Sequence, residues 1–302
     1  MPNTLAHAGA QGLATRSLRD VDLRWVYLGC VIPDLPWILQ RALLFAVPGI
    51  DPYALQAYTI VQASLFGCLL LCAAAALLSG SVWGTFAILG GNVVLHLVLD
   101  AVQTKWGAGV HFLAPFSWTS TNWSLFWPES IATYALTALG LAYVAWHGRP
   151  TLHQRLDLVR PNAYRLAGIG VLLVGYFTVP FLLLQGPVQA DASSLKTLSR
   201  SSNRIGHRVA LDRAQYVDTQ EGPCLKHYQG RVQMQVEGLE IQPPATVSIR
   251  GVLVAENKIR VADHHVHIGK LRNYPSYVGL AFIAVVWMGA VRREYATRPG
   301  PA

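Results

Sequence analysis

Residues 81–102 read SVWGTFAILGGNVVLHLVLDAV, an apolar run whose only strongly polar groups near its end are His96 and Asp100. About 20 apolar residues in a helix cross the hydrocarbon layer of a bilayer, so this stretch is long enough to span. Runs at about 55–78, 127–146 and 165–185 meet the same test. A shorter one at about 275–291 is flanked by Tyr274, Tyr277 and Arg292, as an interfacial anchor would be. Charged residues make up only 13% of the 302, against about 25% in soluble domains. A chain this poor in charge does not solvate all those runs, and lipid is the expected solvent for much of it.

The stretch 25–47 is apolar too, but Pro33-Asp34 and Pro36 interrupt it and Arg41 follows. Proline removes a backbone donor and clashes with the preceding turn, so two short helices with a break are expected. Broken backbone at membrane depth is tolerated where it is buried in protein or lines a wet cavity.

The net charge is +8. A basic chain first suggests nucleic acid, but the excess crowds beside apolar spans: Arg149, Arg155, Arg160 and Arg165 in loop 147–165, and Arg292, Arg293 and Arg298 at the C-terminus. That is a topology signal, and no nucleic-acid partner is expected. Positive-inside reasoning puts loop 147–165 and the C-terminus in the cytoplasm, and loop 103–126 and residues 190–274 outside. For residues 1–24, Arg16, Arg19 and Arg24 favour the cytoplasm, while Asp20 and Asp22 weaken that vote. Those residues lack the apolar core of a cleavable signal. Cys30, Cys68, Cys72 and Cys224 contain no CxxC pair, so neither a zinc ribbon nor a disulfide framework is indicated.

Residues 190–274 change character, with twelve Lys/Arg and eight Asp/Glu. Period-two alternation at 231–236, 246–250 and 258–261 predicts half-buried strands, with a hairpin turn at 255–258. The expected fold class is a membrane α-helical bundle with an inserted small all-β extracytoplasmic domain, an OB-like barrel being one candidate. The domains expected are a helical membrane domain at 1–189, a soluble β-rich domain at 190–274, and a C-terminal transmembrane helix with a cytoplasmic tail at 275–302.

The chemistry lies first in His96 and Asp100. Positions i and i+4 share a helix face, so imidazole and carboxylate can address a common ion. A carboxylate in hydrocarbon costs about 2.5–3.5 kcal/mol on insertion scales, which a divalent cation would offset. A His–Asp hydrogen bond capping the helix is the other reading. Asp34, between two prolines, is either a ligand or the N-cap of the helix that follows. His7, among Ala6, Ala8 and Gly9, is either an exposed terminal histidine or one brought close by small neighbours. Two histidines and two aspartates together would suit Zn²⁺ or a similar ion. Elsewhere, the aromatics of loop 103–126 read as an interfacial belt, with His111 among them. His264-His265-Val266-His267 reads as a solvated strand on which His265 and His267 share a face. Arg200, Arg204, Arg208 and Arg213 would meet anionic headgroups or solubilise the domain.

Four elements occur in order: Thr4-Leu5-Ala6-His7; Gly29-Cys30-Val31-Ile32-Pro33-Asp34-Leu35-Pro36-Trp37; His96-Leu97-Val98-Leu99-Asp100-Ala101-Val102-Gln103; and Phe112-Leu113-Ala114-Pro115-Phe116-Ser117. Over roughly residues 1–147 the chain resembles the bacterial membrane-bound metal-dependent hydrolases, also labelled LexA-binding, inner-membrane-associated hydrolases. The resemblance implies a multi-pass protein of the bacterial cytoplasmic (inner) membrane. It implies a divalent metal, with Zn²⁺ the expected ion, on His7, Asp34, His96 and Asp100. Two family groups are replaced: Pro36 stands where a second carboxylate often follows the Pro-Asp, and Ala63 in Gln62-Ala63-Ser64 stands for the histidine of a Thr-His-Ser element.

The expected activity is metal-assisted hydrolysis of a lipid or lipid-linked ester or phosphoester at the membrane–water boundary. Asp34 or Asp100 would serve as general base, and membrane lipids would be the partners. The alternative is a non-catalytic membrane-anchored protein whose outer β domain binds a partner or ligand. The ligand set requires residues 1–20 to be outside or inserted in the body, because a cytoplasmic His7 would lie about 30 Å from His96.

Overall fold

The computed structural model describes residues 3–18, 21–153, 158–199, 204–220, 222–268 and 273–296. Arg19, Asp20, Arg155, Arg200 and Arg298, whose charges enter the expectations above, lie outside them. The N-terminal body holds α1 (Thr4–Leu18), α2 (Leu23–Val31), α3 (Leu35–Ala46), α4 (Pro52–Ala63), α5 (Leu65–Ala76), α6 (Val82–Ala101), α7 (Ile131–His153) and α8 (Ala163–Leu183). Short helices α9 (Gln185–Gln189) and α10 (Leu195–Ser199) lead to β1 (Arg208–Thr219), β2 (Gly222–His227), β3 (Val232–Glu237), β4 (Ala245–Ala255) and β5 (Lys258–His267). The last helix, α11 (Asn273–Ala296), returns to pack on α1, α2 and α7.

Among the described residues, four helices are long and apolar enough to cross a membrane, five if the bent pair α4–α5 is one span. The span expected at about 55–78 is this pair, bent by 59°. Ser64 causes the break: its extended backbone ends α4, its Oγ donates to the Val61 carbonyl (2.7 Å), and the same Oγ accepts from Gly67 N (3.2 Å) to cap α5. Gly67 permits the fold-back, since a Cβ there would lie 2.4 Å from the Gln62 carbonyl oxygen. The expected span at 127–146 also differs: α7 starts at Ile131, and its apolar part, Ile131–His147, is shorter than a span.

The stretch 25–47 does break where the prolines stand. A 3-10 turn, Ile32–Asp34, joins α2 to α3, with Pro33 and Pro36 each at the start of a helical segment. The kink is mild, and Leu23–Ala46 still counts as one element of spanning length.

α1 is inserted into the body through glycine contacts. A Cβ on Gly9 would sit 2.2 Å from the Gly140 Cα, and one on Gly140 would sit 2.1 Å from the Leu5 carbonyl oxygen. α7 therefore touches α1 backbone to backbone, and Gly279 of α11 approaches Leu5 from another side. Next to α1, Asp22 caps α2 and takes a two-pronged ion pair from the buried Arg24 (2.7 and 2.8 Å).

The five strands pair in the closed order β1-β2-β3-β5-β4, antiparallel except for β3 against β5. Alternate side chains (Val209, Leu211, Tyr216, Leu225, Met234, Val247, Ile249, Leu253, Ile259) fill the interior. β1 carries a bulge between Leu211 and Ala214, where Arg213 takes a positive φ of 54°. The domain expected at 190–274 opens on helical turns, residues 192–199, and its first strand starts at Arg208.

Arg231 fastens the sheet to α3. Its guanidinium donates to the carbonyls of Leu44 (3.0 Å from Nε), Val47 (2.7 Å) and Pro48 (2.6 Å), at and just past the helix end. Arg231→Ala should cost about 1–2 kcal/mol locally, the exposed part of the contact being screened. Hydrogen exchange of the amides at 47–51 should then rise about tenfold. Unchanged protection there would show that the contact contributes nothing.

Candidate functional site

His96 and Asp100 lie in the last turns of α6, one turn apart and both buried. His7 reaches them because the glycine-lined crossing with α7 sets α1 against α6. Its ring stacks on that of His96, with centroids 3.9 Å apart and planes within 5°. Asp34 comes from the 3-10 turn and makes no capping hydrogen bond, so its N-cap reading does not hold. The exposed reading of His7 fails as well, since it is fully buried.

Three of the four expected residues, His7, His96 and Asp100, come together, and Asp34 approaches His96 alone. His7 Nε2 lies 3.6 Å from Asp100 Oδ1, and His96 Nε2 lies 3.8 Å from Asp100 Oδ2 and 3.7 Å from Asp34 Oδ1. These separations exceed hydrogen-bond range. His7 Nε2, His96 Nε2, Asp34 Oδ1 and Asp100 Oδ1 accordingly have no hydrogen-bond partner. A hydrogen-bonded helix cap predicts contacts near 2.8 Å. Ligands of one Zn²⁺, each about 2.0–2.2 Å from the ion, stand apart by distances close to those found. The orphaned atoms and the donor set thus fit a divalent ion, and His7, His96 and Asp100 offer ligand atoms within 4.8 Å of one another.

His7 Nδ1 is 3.4 Å from the Gln11 amide, whose carbonyl oxygen is otherwise unpartnered. With the amide turned so that this oxygen accepts from Nδ1–H, the Nε2 lone pair faces Asp100. An outer partner of this kind orients a ligating histidine.

The cluster opens onto a cavity of about 280 Å³ between the helices and the sheet. Asp34 and Asp100 line it, with Arg41, Lys105, His111 and Arg213. Lys105 Nζ stands 3.2 Å from Asp100 Oδ2. Ala63 also lines it, so the position where the family resemblance expects a histidine does face the site. His111 arrives there from the loop instead. Its Nδ1 bonds the Trp118 carbonyl (3.0 Å), which puts the proton of the neutral ring on Nδ1 and leaves Nε2 a free acceptor. Burial pushes its pKa down to about 4, against the opposing effect of that carbonyl bond.

The strand reading of 264–267 holds, but its solvated reading does not for His265 and His267. They share a face, and that face meets Glu129 of the loop before α7. Arg213 likewise turns inward to Glu129 (2.9 Å). In loop 103–126 the aromatics divide between surface and interior. Phe116, Trp123 and Leu125 are exposed, whereas Trp106 is buried against Trp127 and under the Arg250 guanidinium. Lys105 and Glu129 escaped the sequence reading, because a single charge in a loop carries no periodic signal.

Comparison with known proteins gives no match: no family model matches the chain, and no curated protein or solved structure does.

Proposed function

We propose that this chain is a membrane-embedded metal-dependent hydrolase acting on a lipid or lipid-linked phosphoester where lipid meets water. The observation that carries the reading is the convergence of three buried, hydrogen-bond-free ligand atoms, of His7, His96 and Asp100, with Asp34 3.7 Å from His96, at a locus that opens into a cavity. The apolar helices support lipid as the solvent. In Ala163–Gln189 only 11% of the most apolar window is buried, and Val171, Val174, Phe181 and Leu182 face outward. The charge pattern supports a multi-pass protein of the bacterial cytoplasmic membrane, with its β domain outside and its C-terminus in the cytoplasm. The closed order of strands supports an OB-like barrel.

His7, Asp34, His96 and Asp100 would hold the ion, with Zn²⁺ best matched to two imidazoles and two carboxylates. When bound, such an ion polarises the scissile group and acidifies water at the site. Asp34, at the cavity wall, would accept a proton as general base, and His111 Nε2 offers a second acceptor. Arg41, Lys105 and Arg213 line the cavity beside Asp34, Asp100 and Asp212; with an ion on the carboxylates, Arg41 and Lys105 favour an anionic phosphoester over a neutral carboxyl ester.

The purified protein, loaded with Zn²⁺ in mixed micelles, should hydrolyse phospholipid or lipid-linked phosphate faster than a neutral acylglycerol. Lys105→Ala should raise KM for the anionic substrate about tenfold and leave that for a neutral ester unchanged. No hydrolysis of any lipid ester or phosphoester, with the ion bound, would favour the non-catalytic anchor instead.

A further inference from the structure

The second meeting of histidines and a carboxylate shares no residue with the first. Glu129 is supplied by the loop before α7, and His265 and His267 by one face of β5. Each offers a ligand atom, and these atoms all lie within 4.8 Å of one another. Glu129 is almost fully enclosed, with 6% of its side chain exposed. One of its oxygens is engaged: Oε1 lies 2.9 Å from Arg213 Nη1 and 2.8 Å from His267 Nδ1. The other, Oε2, has no hydrogen-bond partner, and it faces His265 Nε2, also unpartnered, across 3.6 Å. Two buried acceptors left unpaired at that separation carry a desolvation cost that a hydrogen bond between them does not relieve.

The surroundings hold the rings as outer partners of a metal site do. His267 Nε2 lies 2.8 Å from Ser248 Oγ, whose own proton goes to Asp212 Oδ1 (2.7 Å). Ser248 Oγ and Glu129 Oε1 thus hold the two ring nitrogens of His267, Nε2 and Nδ1, each at 2.8 Å. The Nδ1–Glu129 contact is a hydrogen bond whose proton a cation bound at Nδ1 replaces. Trp127 stacks on the His265 ring (3.7 Å between centroids, 4° between planes) and fixes its orientation. Arg213 neutralises Oε1 from one side and leaves Oε2 and His265 Nε2 uncompensated.

We propose that Glu129, His265 and His267 form a second cation site, for a first-row transition ion of the Zn²⁺ class, which clasps the β domain to the loop leading into α7. Two imidazoles and one carboxylate select such an ion over Mg²⁺ or Ca²⁺, which prefer oxygen ligands. The clasp joins residues 138 positions apart and sits beside Arg213, so it holds the β-domain wall of the cavity in place.

The test is a metal count on the full chain, purified in detergent without a histidine tag, loaded with Zn²⁺ and stripped of excess. Two ions per chain are expected, falling to one in His265→Ala and to one in His96→Ala, through loss of different sites. Glu129→Gln should weaken the second ion at least about tenfold. Titration of His96→Ala with Co²⁺ gives a readout that needs no change in the β domain. Stoichiometric visible absorption of bound Co²⁺ is expected, with quenching of Trp127 fluorescence that Trp127→Phe removes. A single ion lost on His96→Ala and kept on His265→Ala, or no Co²⁺ bound by His96→Ala, would overturn the second site. A single ion with the opposite behaviour would uphold it and sink the first site, so the two readings fail separately.

Discussion

Asp100→Asn should lower lipid hydrolysis by at least about a thousandfold and release the ion of the α1–α6 site. The substitution keeps the size of the side chain and removes one negative charge. Asp100 is the residue on which the cluster turns, because His7 approaches one of its oxygens and His96 the other, at 3.6 and 3.8 Å. An amide oxygen is a far weaker ligand than a carboxylate oxygen. The Lewis-acid contribution to the transition state is worth several kcal/mol, and each 1.36 kcal/mol is tenfold in rate. Fold should survive, since neither Asp100 oxygen accepts a hydrogen bond from a histidine. A helix-capping His–Asp pair would behave differently: Asp100→Asn would then cost a little stability and leave metal content and turnover unchanged. Kinetics and metal content measured on one preparation decide between the two, and undiminished turnover would end the hydrolase reading.

Gly140→Ala should be as damaging to the site as the loss of a ligand, although residue 140 touches none of the four. The added methyl would stand 2.1 Å from the Leu5 carbonyl oxygen and 3.2 Å from the Ala6 Cα, both backbone atoms of α1. Backbone has no rotamer with which to yield, so α1 has to move away from α7, carrying His7 with it. Overpacking of this kind costs typically about 1–3 kcal/mol, and the displaced imidazole should weaken the ion by an order of magnitude or more. Gly170→Ala in α8 is the matched control, because a Cβ there meets nothing within 4 Å. Helix propensity predicts it to be neutral or stabilising by about 0.5–1 kcal/mol. Equal melting and equal metal affinity for the two variants would contradict the account of how α1 is placed.

Much of this was open to reading from the residues, and the omissions have physical causes. His96 and Asp100 are legible because helical spacing alone puts them on one face. Asp34 is legible because two prolines leave its turn little freedom. β3, β4 and β5 follow from alternation. β1 is harder, because the bulge at Asp212-Arg213 breaks the period of two, and that same bulge turns Arg213 toward the cavity. His7 is different in kind. Its burial depends on a contact between Gly9 and Gly140; the small residues beside His7 allow close approach, but nothing local identifies Gly140 as the partner. The bend at Ser64 is hidden for a related reason: the run 55–78 holds no charge and no proline, and only the packing at Gly67 shows that the chain folds back. Glu129 was invisible because its partners lie in a strand more than a hundred residues away, and their own sequence suggested a face turned to water.

The most direct test is crystallographic. Diffraction data from Zn²⁺-loaded His265→Ala protein, collected at the zinc absorption edge, should show one strong anomalous peak within about 2.2 Å of a nitrogen of His7, a nitrogen of His96 and an oxygen of Asp100, with Asp34 beside it. A peak elsewhere, or none among these side chains at full zinc loading, would contradict the claim that they surround one cation.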